Sequence, residues 1–93
     1  MRITYDPQKR ASNLAKHQLD FDDAVHVFTG ERIFSIEDDR YDYRETRWQT
    51  IGRLNDGVVM VVWTERNDAR HIISMRKCND RERKKYLDRL DGS

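Results

Sequence analysis

One cysteine, one proline and four glycines in 93 residues leave little for covalent or backbone bracing. The lone Cys78 excludes an internal disulfide and any multi-cysteine metal site. A reducing compartment such as the bacterial cytosol fits that usage. No long apolar run exists. The longest, Val58 to Trp63, is far too short to cross a bilayer. The opening "MRITYDPQKR" has no apolar core of the kind a signal peptide carries, so none is expected. Repeats, linkers and low-complexity segments are also missing, and residues 1–93 read as a single domain.

Charge of one sign is scarce only in the total. The formal net charge is +1, with 38% charged and 37% hydrophobic residues. Residues 20–45 hold nine acids against three bases, whereas residues 66–90 hold nine bases against four acids. A chain divided in this way presents a basic surface to a polyanion and an acidic surface elsewhere.

The apolar residues fall into periodic segments, which argues for a folded core rather than disorder. "RITY" reads as a short strand. Asp6-Pro7 then starts a helix to about His17, because Asp caps free N–H groups and Pro suits the first helical position. Ala11, Leu14 and Ala15 share one face of it and are the expected buried stripe. Asp20 caps a second helix, whose buried stripe is expected to be Phe21, Ala24, Val25 and Phe28, ending at Gly30. "ERIFSIE", "TRWQTIGRL", "VVMVVWTE" and "RHIISMR" read as strands, with "DDRYDY" a polar loop. "NDG" and "RND" are tight turns that join the last three strands into an antiparallel meander. Asn79 with Glu82 three residues on has capping spacing, and a final helix runs to about Leu90 along a stripe of Arg83, Tyr86, Leu87 and Leu90. The order β-α-α-β-β-β-β-α belongs to the α+β class.

These segments resemble the BrnT toxins, the ribonuclease half of a bacterial type II toxin–antitoxin pair. The likeness rests on "YDPQKRASNLAKHQLDFDDAVHVF", "RWQTIGRL" and "VVWTERNDARHIISMRKCNDRERKKY", taken in order and at their spacing. Two departures stand out. His71 occupies the place of the usual Arg before Ile-Ile-Ser, and Cys78 that of a small Ala. The resemblance implies a RelE-like fold, a twisted antiparallel sheet with helices packed on it. It also implies metal-independent cleavage of RNA, inhibition of translation and growth, no cofactor, and neutralisation by a BrnA-type antitoxin. That partner would bind DNA for the pair.

Metal-free cleavage uses the 2′-OH as nucleophile. It needs a base, cations on the phosphorane and an acid for the leaving oxygen. Glu65, Glu82, His17 and His71 are the available bases, and Arg66 and Arg76 the best phosphate clamps. The expected catalytic set is Glu65, Arg66, His71 and Arg76. Lys16, His17, Arg53 and Lys77 are expected to bind substrate. Trp48, Trp63 or Tyr86 are candidates for stacking a base. Structural roles compete at each position. Glu82 suits a helix cap, Glu65 and Arg66 border a turn, Arg76 suits an ion pair, and His17 ends a helix. By strand alternation His71 shares a face with Ile73 and Met75, as a structural histidine would. The two tryptophans suit a core. A non-catalytic RNA-binding or antitoxin-binding module of the same fold is the alternative reading.

Overall fold

The computed structural model describes residues 1–40 and 42–92. Tyr41, within the expected polar loop, lies outside them. Strand β1 (Ile3–Tyr5) leads into helix α1 (Pro7–His17), where Asp6 accepts a hydrogen bond from the Gln8 N–H at 2.9 Å. A 3₁₀ turn, Phe21–Asp23, runs straight into α2 (Ala24–Phe28). Four strands follow, β2 (Phe34–Glu37), β3 (Trp48–Leu54), β4 (Gly57–Arg66) and β5 (Ala69–Lys77), and then α3 (Asp80–Leu90).

The strands form one five-stranded sheet in the order β1-β5-β4-β3-β2. The two hairpins turn at Asn55-Asp56 and at Asn67-Asp68. Asn55, Asn67 and Asp68 adopt positive φ there, which these short polar residues tolerate. The sheet is mixed, where a purely antiparallel one was expected. β1 lies beside β5 in parallel, pairing Thr4 with His71, while the other three pairs are antiparallel. Hairpin turns force antiparallel neighbours, but β1 reaches β5 only after the rest of the chain has intervened. β2 starts later than expected, because Arg32 takes a left-handed conformation (φ 58°) that an extended strand does not accept.

The sheet buries both faces. Phe21, Ala24, Val27 and Phe28 pack with Val59, Val61, Ile72 and Met75 on one side. Tyr86 and Leu90 of α3 pack with Ile51, Val58, Met60 and Val62 on the other. That is why β4 is apolar at every position from 58 to 63. Tyr86 meets Phe34 edge to face at 5.4 Å and is core rather than a base platform.

Two expected stripes are turned. In α2, Val27 is fully buried and Val25 only half-buried. The tighter 3₁₀ turn ahead of the helix advances its phase, so a purely α-helical count points at the wrong valine. In α1, Ala11, Leu14 and Ala15 face solvent and Asn13 is buried instead. β1 pairs with β5 only as far as Ile72, so the edge of β5 beyond that point needs partners. Asn13 supplies one: its Oδ1 accepts from the Met75 N–H at 3.2 Å, and its Nδ2 donates to the Leu19 carbonyl at 3.1 Å.

Close packing of α2 on β3 depends on Gly52. A Cβ there would lie 2.9 Å from Cγ1 of Val27 and 3.0 Å from Cγ2 of Ile33. Gly52→Ala is therefore expected to cost about 1–3 kcal/mol, read as a lower denaturant midpoint with unchanged slope. A midpoint at or above the parent's would show that α2 is free to retreat.

A candidate ribonuclease site beside helix α1

A β-bulge decides where the side chains of β5 point. Val62 pairs with Ser74 and Trp63 with Ile72, so Ile73 is an extra residue in the strand. The bulge breaks the expected alternation. Met75 joins Ile72 in the α2-side core, while Ile73 belongs to the α3-side cluster. His71 pairs with Thr64 and Thr4 on the α3-side face. α3 covers only the part of that face around Met60, Val58 and Ile51, leaving the His71 end open.

A pocket of about 260 Å³ opens there, lined by Asp6, Lys9, Arg47, Arg66, His71, Ile72 and Ile73. A second hollow of about 210 Å³ adjoins it through Lys9 and Ile73, and adds Ser12, Asn13, Lys16, His17 and Ser74. Together they make a groove between α1 and β5, with Lys9 and Lys16 on the α1 wall and Arg47 and Arg66 at the His71 end. His71 is half-buried, and its Nδ1 lies 2.9 Å from Oγ1 of Thr4. Burial, and then the nearby Arg66 charge, hold the imidazole below its usual range. It is therefore neutral at neutral pH, as a proton acceptor must be.

The arginines meet at one carboxylate. Glu45 receives Nη2 of Arg66 at 2.9 Å, and Nε of Arg47 lies 3.5 Å from the same oxygen. The hydrogen bond from Arg66, outweighing the effect of burial, keeps the Glu45 carboxyl below its ordinary range. The Arg47 guanidinium stacks 3.9 Å from the centre of the Tyr43 ring. Its Nε is buried and donates no hydrogen bond among the described residues. Its charge is met at longer range by the Glu45 carboxylate 3.5 Å away.

Of the expected catalytic set, Arg66 and His71 share this pocket; of the expected substrate-binding set, Lys16 and His17 line its extension. The others lie elsewhere. Glu65, beside Trp63 and Arg70, points to the opposite face of the sheet, as strand alternation from Arg66 requires. Arg76 grips Glu82 through two hydrogen bonds of 2.7 and 2.8 Å. Glu82 also completes a reciprocal cap with Asn79. Arg53 pairs with Asp91, and Lys77 is exposed at the far end of β5. Trp63 donates to Thr50 at 2.7 Å and stacks with Arg70, which also covers Phe28. Trp48 lies against Trp63 at 6.5 Å. Burial pushes the Cys78 thiol up to about 11, as for a packed side chain rather than a nucleophile.

The family model for the ribonuclease toxin BrnT of type II toxin–antitoxin systems matches residues 5–82. The chain belongs to the BrnT family. No curated protein gives a match. The match to the BrnT model takes in both hollows of the groove, the bulge in β5 and the Arg76–Glu82 pair. Thr4 alone, among the residues described at the site, lies before it. Lys9, Glu45 and Arg47 were not singled out from the sequence, although Lys9 and Arg47 fall inside the stretches that resemble BrnT toxins. Thr4 carried no local signal, since its contact depends on pairing 67 positions away. No helix among the described residues is long and apolar enough to cross a membrane.

The Arg76–Glu82 pair carries a pH prediction. The hydrogen bonds from Arg76 lower the Glu82 carboxyl to about 2. A depressed folded value stabilises above the unfolded carboxylate range, and that contribution is lost as pH falls toward 2. Glu82→Gln is expected to lower the melting temperature at pH 7 and to flatten its decline between pH 5 and pH 2. An undiminished decline would place the acid sensitivity elsewhere.

Proposed function

We propose that the groove between α1 and β5 binds RNA and cuts its backbone by attack of a 2′-OH, without a metal ion. The observation that carries this reading is one pocket holding the half-buried neutral imidazole of His71 with Arg66 and Arg47. In this reading His71 removes the 2′-OH proton, and the two guanidiniums hold the non-bridging oxygens as charge builds on phosphorus. Glu45 holds Arg66 ready and yields to the phosphate. As the 2′ oxygen bonds to phosphorus, the P–O5′ bond breaks and leaves a 2′,3′-cyclic phosphate. The ammonium of Lys9, common to both hollows, gives a proton to the departing 5′ oxygen, while Lys16 and His17 bind the strand further along. Guanidiniums aimed in this way supply the charge stabilisation that a metal would otherwise provide.

The same reading gives the chain a RelE-like fold and a place in the bacterial cytoplasm. A BrnA-type antitoxin neutralises it by laying acidic residues over the cationic groove. Growth arrest then follows from RNA cleavage when that partner is lost. The test is incubation of the purified protein, with EDTA, on an RNA and on the same sequence built from 2′-deoxyriboses. Cleavage of the RNA alone is expected. Cutting of both would contradict attack by the 2′-OH, and activity abolished by EDTA and restored by a divalent cation would contradict metal independence.

A further inference from the structure

The working state of His71 is set by its own neighbours in the fold. Its ring has two nitrogens, and only one is engaged. Nδ1 sits 2.9 Å from the Thr4 hydroxyl, a contact between adjacent parallel strands at the register Thr4–His71. No hydrogen bond engages Nε2 among the described residues. The hydroxyl either donates to Nδ1 or accepts from it, and the surroundings decide between the two. The pocket that His71 lines contains Lys9, Arg47 and Arg66, against the carboxylates of Asp6 and of Glu45, the latter already occupied by Arg66. A neutral imidazole in a cationic field is favoured with its lone pair toward the cations and its N–H away from them.

We propose that Thr4 is a positioning residue, which accepts the Nδ1 proton of His71 and so fixes the tautomer whose unprotonated Nε2 faces the RNA groove. The inference rests on the reading of His71 as the base. Without Thr4, an Nδ1–H turned toward β1 loses its acceptor, and that penalty opposes the cationic field and shifts the ring toward the tautomer protonated at Nε2, which presents an N–H where the reaction needs an acceptor. The arrangement has the logic of any base oriented through its second nitrogen. It costs little structurally, because Thr4 already lies in the sheet and its side chain replaces solvent at Nδ1.

Imidazole nitrogen NMR on protein labelled at histidine tests this directly, with His71 assigned by comparison with His71→Ala. The native protein is expected to show His71 protonated at Nδ1 near pH 7.5. Thr4→Val, nearly the same shape, is expected to shift the population toward Nε2–H. It should also lower kcat for RNA cleavage about tenfold, with KM little changed. Thr4→Ser keeps a hydroxyl and is expected to restore both signals. A native spectrum with the proton on Nε2, or a Thr4→Val spectrum identical to it, overturns the proposal. If His71→Ala cuts RNA as fast as the parent, the role of His71 as base fails, and the nitrogen spectra still report whether Thr4 sets the tautomer.

Discussion

His71→Ala is expected to slow RNA cleavage by about 10²–10⁴-fold while leaving RNA affinity within a few-fold of the parent. The imidazole lines one pocket with Arg47 and Arg66, whereas Glu65 opens on the opposite face of the sheet. Its burial costs the charged form more than the neutral one, so it stays unprotonated at neutral pH. Arg66→Ala is expected to weaken both cleavage and binding, because a guanidinium serves the ground state and the transition state together. By contrast, Arg76→Met is expected to act on stability. Its guanidinium is spent on Glu82 at the start of α3, so the folded fraction should fall while cleavage per folded molecule holds. Single-turnover rates, normalised to folded protein by circular dichroism, separate these outcomes. A His71→Ala rate equal to the parent's would move the base elsewhere. An Arg76→Met rate that collapses in fully folded protein would return Arg76 to the site.

Asn13→Leu is expected to destabilise the fold by about 2–4 kcal/mol, lowering the melting temperature by more than about 10 °C. The substitution looks favourable from the sequence, since it adds a leucine to a helix that packs on the sheet. It strips partners from the Met75 N–H and the Leu19 carbonyl, however, and both lie in the interior. A buried backbone group left unmet costs more than the new apolar contact returns. Equal or higher thermal stability would show that solvent reaches the edge of β5.

These two cases mark what the linear pattern conveyed. The strands of the meander, both hairpins, the Asp6 cap and the Asn79–Glu82 cap were all legible, because each depends on residues close together in the chain. The buried face of α1 was not. Its orientation is set by an unfilled sheet edge, and that edge is free only because β1 stops at Tyr5. The face of Met75 was misplaced for a similar reason. The bulge at Ile73 has no marker in "RHIISMR", and one extra residue turns the rest of the strand over. In the candidate site, Arg66 was reachable through the family resemblance and His71 through its residue type. Glu65 was adjacent in sequence and opposite in space. Lys9 and Glu45 come from α1 and from the segment before β3, and only the folded sheet brings them to His71.

On the proposed function, RNA lies in the groove between α1 and β5. Amide and side-chain NMR shifts, followed while an uncleavable 2′-O-methyl oligonucleotide is added to labelled protein, test it most directly. The largest changes are expected on Lys9, Lys16, Arg47, Arg66 and His71. Changes centred on Glu65, Trp63 and Arg70, with the groove residues unmoved, would place the RNA on the opposite face of the sheet and contradict it.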